Sequence, residues 1–97
     1  MTSNHEYLVW MDLEMTGLDP ATDEIIEIAS LVTDGNLNII ATGPEIIIHQ
    51  PPERFAKMDD WNRNQHSMSG LWEKVLTSKI SIEKAEELTL DFIRQHV

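Results

Sequence analysis

Residues 8–19 read LVWMDLEMTGLD, an apolar run rich in β-forming residues that ends in two carboxylates, Asp12 and Glu14. In a β-strand, residues two positions apart project from the same face, so both carboxylates share one face. Neighbouring carboxylates repel each other and are costly to remove from water, and a hard divalent cation such as Mg2+ or Mn2+ is their natural partner. The Thr16-Gly17 turn leaves this strand end open. The stretch therefore predicts a strand that carries half of a metal site.

The surrounding sequence predicts an antiparallel sheet. The first strand covers Tyr7–Glu14, and because both of its faces are mainly apolar we expect a central strand that is covered on both sides. A run rich in Ile and Val predicts a second strand over Glu24–Thr33. After a tight turn at residues 34–36, where Gly and Asn tolerate positive φ, a third strand covers Leu37–Ala41 and resumes at Glu45–His49. An intervening Gly-Pro pair indicates a bulge or an edge position, and the three strands form a meander.

Helices are predicted for the second half of the chain. Short helices cover Asp60–His66 and Ser69–Leu76, with Ser69 as the N-cap of the latter. Ser81 is the N-cap of a longer helix that continues without Gly or Pro to Val97. Its apolar residues spread over roughly 200° of the helix circumference, so we expect neighbours on two sides. Because the helical pattern is still present at the last residue, we expect the natural protein to continue.

Composition narrows the class of protein. The chain has 97 residues, enough for one small domain, and has no cysteine for a disulfide framework or a thiolate metal site. Its net charge of -10 is concentrated in residues 1–53, which contain ten acids and no Lys or Arg. This argues against binding long nucleic acid through a basic surface but allows a short phosphate substrate approached through bound cations. With no signal peptide pattern and no apolar run of membrane-spanning length, we expect a cytoplasmic protein without membrane contact.

At this point the motifs resemble a known family. Asp-x-Glu followed by Thr-Gly-Leu-Asp is similar to the first motif of the DEDD superfamily of 3′-to-5′ exonucleases, and the wider pattern resembles the oligoribonucleases of its DEDDh branch. The resemblance is carried by Val9–Pro20, Ile25–Ala29, Leu31–Asp34 and Met58–Asn62, and it continues through His66 and Ser69-Gly70 to the last helix. It covers essentially all 97 residues, so it is more specific than an isolated Asp-x-Glu.

The resemblance implies an α/β, ribonuclease-H-like exonuclease fold, present here in truncated form as a three-stranded antiparallel meander followed by helices. It implies hydrolysis of short RNA oligonucleotides, including dinucleotides, to 5′-mononucleotides, with four acids holding two divalent cations and a histidine as general base. Asp12 and Glu14 would be catalytic metal ligands for Mg2+ or Mn2+. The substrate-binding residues it implies are Leu18 beside the bases, Trp61 against the nucleotide, His66 at the 5′ phosphate, and the backbone near Met15 and Thr16.

The chain departs from the family pattern in two respects. The second and third exonuclease motifs are absent, so residues 1–97 correspond to the N-terminal part of a single exonuclease domain. No histidine is followed five positions later by an aspartate, which is the spacing that the family uses for its general base and last carboxylate; the histidines tested are His5, His49, His66 and His96. We therefore expect the isolated chain to be inactive, and the resemblance implies a homodimer for the full-length protein.

Several alternatives remain open on sequence alone. A related DEDD exonuclease that acts on DNA or tRNA ends would share the first motif, and a truncated fold could instead serve as a non-catalytic assembly module. Leu18 could be an ordinary exposed loop residue, Trp61 a core residue and His66 a surface histidine. Glu27, on a strand with apolar neighbours, is interpreted as structural or as a support for the metal ligands.

Overall fold

A computed structural model describes residues 6–97, so that His5 lies outside the described part of the chain. An antiparallel sheet precedes the helices, and this confirms the predicted α/β architecture of a three-stranded meander followed by helices. The strands are β1 (Tyr7–Met15), β2 (Ile25–Asp34), β3 (Ile39–Thr42) and β4 (Ile46–Ile47); the helices are α1 (Glu53–Ala56), α2 (Asp60–Met68), α3 (Leu71–Thr77) and α4 (Ile82–His96).

Strand β2 is the centre of the sheet. It pairs antiparallel with β1 along its whole length and with both β3 and β4 on its other side. The third predicted strand is therefore split at its Gly-Pro pair, but both parts stay on the same neighbour. Gly43 sits at the split because a Cβ there would lie 2.7 Å from the Ser30 hydroxyl and 2.8 Å from the Phe92 ring. Glycine thus allows α4 to approach the sheet closely.

The prediction that β1 is a covered central strand is wrong for this structure. Among residues 6–97, β1 pairs only with β2, and the side chains of Tyr7 to Met11 are 39–48% exposed. The buried residues alternate along β2 instead, where Ile26, Ile28 and Val32 lie under the helices. An apolar pattern on both faces of a strand indicates a preference for burial, but it does not identify the element that would cover those faces.

Two apolar clusters hold the helices on the sheet. One joins Ile26 of β2 to Met58 and to α3, through Leu71, Trp72 and Val75. The other joins Ile28, Ile46 and Ile48 to Ala85 of α4. Each buried aliphatic side chain stabilises the fold by about 1.5–3 kcal/mol relative to leaving it in water. These clusters therefore fix α3 and α4 relative to the strands that carry the acidic residues.

The helix ends follow local capping chemistry, with one difference from the sequence prediction. Ser81 accepts a hydrogen bond from the Lys84 amide at 3.1 Å, which confirms it as the N-cap of α4. Ser69 is not the N-cap of α3; it closes α2, and Gly70 at φ 78° begins α3. A φ of 78° lies in the left-handed region, which glycine adopts without strain.

Two further expectations differ in detail. In the turn between β2 and β3, positive φ occurs at Leu37 (68°), and the Asp34 carboxylate accepts hydrogen bonds from the amides of Asn36 and Asn38.

Helix α4 buries Ala85, Thr89 and Phe92. Leu88 and Ile93 are partly buried, whereas Ile82 and Leu90 are exposed, so within the described residues the helix has a neighbour on one side of its broad apolar arc. Sequence periodicity measures the width of such an arc but not the number of neighbours.

Candidate active site

The two carboxylates that close the first strand are exposed in the structure. Asp12 and Glu14 lie near the end of β1, facing Ala29 and Glu27 respectively on β2. Beyond Glu14 the strand register shifts, because Met15 pairs with Ile25 and leaves Ile26 as an extra residue on β2. Such a bulge bends the strand and ends regular pairing. The acidic pair thus stands on one face at an accessible strand end, as the spacing predicted.

Glu27 adds a third carboxylate beside this pair. Burial raises its pKa to about 7, reinforced by a hydrogen bond and the charge of Glu45 and by the charge of Glu14, while Lys74 opposes the rise. Neighbouring negative charges thus favour the protonated form of Glu27. Glu27 was interpreted as structural or supporting, and its place opposite Glu14 agrees with a residue that tunes the charge around the pair.

A cavity of about 190 Å³ opens next to Glu14. It lies between the sheet and helices α2 and α3, and its lining residues are Glu14, Glu27, Gln65, His66, Ser69, Leu71 and Lys74. The cavity therefore brings together two residues that the sequence singled out separately, the carboxylate Glu14 and the imidazole of His66. Its lining includes the carboxylates of Glu14 and Glu27 and the ammonium of Lys74, a mixture suited to a charged ligand.

His66 is buried, with 3% of its surface exposed, so its interpretation as a surface histidine is wrong. Its Nε2 lies 2.7 Å from the carbonyl oxygen of Met15. Since a carbonyl only accepts, this nitrogen carries the hydrogen and donates it. The bond fastens helix α2 to the end of β1, one residue after Glu14.

Two apolar side chains stand out into solvent near this end of the sheet. Leu18, in the loop between β1 and β2, is 89% exposed, and Trp61, in the first turn of α2, is 69% exposed. The interpretation of Trp61 as a core residue is therefore wrong. The core tryptophan is Trp72, which packs against Phe55 with ring centroids 5.3 Å apart. Exposed aromatic and aliphatic side chains are suited to contacts with flat nucleobases.

Met15 and Thr16 form the start of the loop, and their polar groups are already engaged. The Thr16 amide donates to the Glu24 carbonyl at 2.9 Å. The Thr16 hydroxyl donates to the Asp23 carboxylate and accepts from the Glu24 amide, both at 2.9 Å. Thr16 is almost fully buried and Met15 half-buried. The amide and hydroxyl of Thr16 and the carbonyl of Met15 are therefore already engaged within the protein.

Sequence reasoning missed Asp23 and Arg54. The Asp19 amide and the Thr16 hydroxyl donate to Asp23 and lower the pKa of its carboxyl, with a further contribution from the Arg54 guanidinium. Arg54 Nη2 lies 3.2 Å from Asp23 Oδ1. Local sequence indicates that Asp23 lies in a turn. Its arginine partner, however, is 31 residues away in sequence, and no local pattern links the two residues.

The residues present meet part of the requirement of a metal centre. Among residues 6–97, no group of three or more His, Cys, Asp or Glu side chains is arranged to hold a metal ion. Asp12 and Glu14 offer oxygen ligands of the kind that hard divalent cations take, on an exposed face where water completes the coordination. The pair thus fits a partly hydrated cation and would need further ligands to enclose it. His49 and His96 are engaged elsewhere, with the Val75 carbonyl and the Phe92 ring.

No helix in the described part of the chain combines the length and the apolar character needed to cross a bilayer.

Comparison with known proteins identifies the family. The RNase_T family model, described as an exonuclease, matches residues 9–97. Over all 97 residues the chain is 56% identical to the oligoribonuclease of Escherichia coli (strain K12), 55% to that of Vibrio parahaemolyticus and 52% to that of Chromobacterium violaceum. In each case it covers 54% of the relative, so the chain spans about half the length of the curated relatives it matches. With its Asp12–Glu14 pair inside the matched region, the chain belongs to the RNase_T exonuclease family.

Proposed function

We propose that the protein carrying this chain is a 3′-to-5′ exoribonuclease that degrades short RNA oligonucleotides, including dinucleotides, to 5′-mononucleotides. The observation that carries the proposal is the exposed Asp12–Glu14 pair at a strand end, beside a cavity that also contains His66. The relatives are oligoribonucleases, and this supports RNA of short length as the substrate class. Residues 1–97 would then be the N-terminal part of a single exonuclease domain.

In this proposal Asp12 and Glu14 hold a divalent cation, Mg2+ or Mn2+, with two cations in the complete site. Bound cations of this kind activate water and stabilise the charge that develops on the transferred phosphoryl group. Without them the acidic chain, at a net charge of -10, would repel a phosphodiester. Glu27 strengthens the negative potential at the pair whenever it is ionised.

The substrate contacts in this proposal are divided between two elements. Leu18, in the β1–β2 loop, lies beside the terminal bases, and the exposed ring of Trp61 packs against a nucleotide. His66 uses Nε2 to hold Met15, so its contact with a 5′ phosphate would be made through Nδ1. Carbonyl groups of Met15 and Thr16 contact the terminal nucleotide. A substrate held at both ends in this way would be restricted in length.

Isolated residues 1–97 would be inactive in this proposal. They supply two of the four acidic ligands that the family resemblance implies and no histidine at the general-base spacing. The complete protein would act as a cytoplasmic homodimer.

The substrate class is tested by giving the purified protein a 5′-labelled RNA dinucleotide and, separately, a long single strand of RNA or DNA. The expected result is cation-dependent release of 5′-mononucleotides, with the dinucleotide degraded fastest and no reaction after chelation. A marked preference for the long strand would instead support a related exonuclease of DNA or tRNA ends. Cleavage inside the strand would contradict an exonuclease of either kind.

One observation favours a second candidate, a non-catalytic assembly module. The side chains of residues 7–11 on β1 and Leu90 on α4 are apolar and exposed, and such surfaces often contact a partner. Light scattering combined with size-exclusion chromatography tests this for the 97-residue chain. A monomer across the accessible concentration range, together with dinucleotide hydrolysis by the complete protein, would reject it.

A further inference from the structure

Arg54 of α1 reaches across to the loop between β1 and β2. Its Nη2 donates to the Thr16 hydroxyl at 3.1 Å, to the Asp23 carboxylate at 3.2 Å and to the Thr22 carbonyl. All three contacts run through Nη2, while Nε is buried without a hydrogen-bond partner among residues 6–97. The guanidinium is largely shielded from solvent, and the three acceptors lie more than 30 residues away in sequence. Arg54 therefore ties a separate element to this loop.

Asp23 is the centre of the network that Arg54 joins. Its carboxylate accepts hydrogen bonds from the Thr16 hydroxyl at 2.9 Å and from the Asp19 amide at 3.0 Å. It also lies so close to Gly17 that a Cβ at that position would be 2.4 Å from Asp23 Oδ2. The Asp23 carboxylate is thus in contact with the start of the loop, at Thr16 and Gly17, and with its middle, at Asp19. Arg54 supplies the opposite charge.

The loop held in this way lies between the acidic pair and the exposed leucine. Thr16 follows Glu14 by two residues, and Leu18 follows Thr16 by two more. The hydroxyl of Thr16 uses its one donor and both of its acceptor positions within the network, to Asp23, Glu24 and Arg54. Leu18 by contrast has no burial of its own to fix its direction, since 89% of its surface is exposed. Its position depends on the backbone beneath it.

We propose that Arg54 is a positioning residue for substrate binding: through Thr16, Thr22 and Asp23 it holds residues 16–24 so that Leu18 meets the bases of a short RNA. The identity of the ligand as short RNA rests on the proposed function. The claim that Arg54 holds the loop in place does not depend on that function. Arg54 itself touches neither cation nor substrate. Because Arg54 restricts the loop before any substrate is bound, the loop loses less conformational entropy when a substrate binds.

The first arm of the test measures the loop without any substrate. Amide hydrogen exchange is compared in the wild-type protein, Arg54→Met, Arg54→Lys and the control Arg94→Met, whose arginine is exposed on α4 and pairs with Asp91. In Arg54→Met, exchange in residues 16–24 should rise by about tenfold or more, since a charge-assisted hydrogen-bond network is lost. Exchange in α4 serves as an internal reference for global unfolding. Unchanged exchange in residues 16–24 would overturn the proposal.

The second arm measures hydrolysis of an RNA dinucleotide by the same variants. Arg54→Met should raise KM by about tenfold while kcat at saturating cation stays within about twofold, because the lost interaction acts on binding. Arg54→Lys, which keeps the charge beside Asp23 but only one nitrogen, should fall between Arg54→Met and wild type. Arg94→Met should match wild type. A lower kcat with unchanged KM would overturn the positioning role.

A double-mutant cycle separates positioning from a general structural effect. If Arg54 acts through Leu18, then Leu18→Ala and Arg54→Met raise KM by less in combination than the product of their separate effects. Fully multiplicative effects would overturn the proposal. If the wild-type protein degrades no short RNA, the proposed function and the RNA part of this inference both fail, whereas a raised exchange in residues 16–24 would still support the Arg54 contact with the loop.

Discussion

The Nε2 of His66 donates a hydrogen bond to the carbonyl oxygen of Met15 over 2.7 Å, joining two residues that are 51 positions apart. Met15 ends the strand that carries Asp12 and Glu14, and His66 lies in α2, which also carries Trp61. The bond therefore couples the candidate cation ligands to the helix that presents the candidate nucleotide contact. Together with the apolar packing of Ile26 on Met58 and α3, this buried bond orients the two halves of the site.

Replacement of His66 tests this coupling. His66→Ala leaves the Met15 carbonyl without its donor and should lower the free energy of unfolding by about 1–3 kcal/mol. His49→Ala is the matched control, because His49 is exposed and its Nδ1 contacts the Val75 carbonyl at a longer 3.3 Å. Urea unfolding followed by far-ultraviolet circular dichroism measures both. Equal losses for the two variants would contradict a special role for the His66 bond.

Glu27 predicts a pH dependence of stability. Its pKa is raised in the folded protein from 4.5 to about 7, so folding favours the protonated form. Its contribution to stability is thus fully present below pH 4.5 and is lost as the pH rises to about 7. Glu27→Gln should stabilise the protein relative to wild type at about pH 8 and much less at about pH 5.

The control for this prediction is Glu86→Gln, at an exposed position on α4. The lowered pKa values of Asp23 and Asp34 act in the opposite sense, since their contribution is lost only as the pH falls below their ordinary value of 3.8. The effects of Asp23 and Asp34 on stability therefore do not overlap the range between pH 4.5 and about 7, in which Glu27 acts. A constant stability difference between Glu27→Gln and wild type across that window would show that folding does not shift this carboxyl.

Replacing each of two tryptophans should distinguish an effect on substrate binding from an effect on protein stability. Trp61 is 69% exposed, so Trp61→Ala should leave the free energy of unfolding within about 0.5 kcal/mol of wild type while raising KM for a dinucleotide. Trp72 is 7% exposed and packs on Phe55, so Trp72→Ala should lower stability by about 3–5 kcal/mol. Unfolding curves and dinucleotide kinetics on the same preparations measure both quantities. A Trp61→Ala variant with normal KM would remove Trp61 from the substrate contacts.

Local patterns predicted the features that depend on local physics. The strand that carries Asp12 and Glu14, the strand before Asp34 and the Ser81 cap all follow from side-chain alternation or from a single hydrogen bond to a neighbouring residue. The common face of the two acids follows in the same way. Trp61 and His66 were both singled out, although sequence alone could not tell which of them is buried.

Features that depend on tertiary neighbours were not predictable in this way. The exposure of β1 depends on which elements lie beside it, and the hydrogen bond from His66 to Met15 depends on how α2 returns to the sheet. Arg54 was overlooked because its three acceptors lie in a distant loop. The N-cap of α3 is Gly70 and not Ser69, because the chain takes a left-handed φ of 78° there, which a side-chain capping preference alone does not describe.

The most direct test of the account is the rate at which the complete protein releases mononucleotides from an RNA dinucleotide in Mg2+ or Mn2+, compared between wild type and Asp12→Ala. Asp91→Ala is the control, since that carboxylate is exposed on α4 and pairs with Arg94. We predict that Asp12→Ala lowers the rate by about a hundredfold or more, as expected for loss of transition-state charge stabilisation, and that Asp91→Ala changes it little. An unchanged rate in Asp12→Ala would contradict the assignment of the acidic pair as cation ligands.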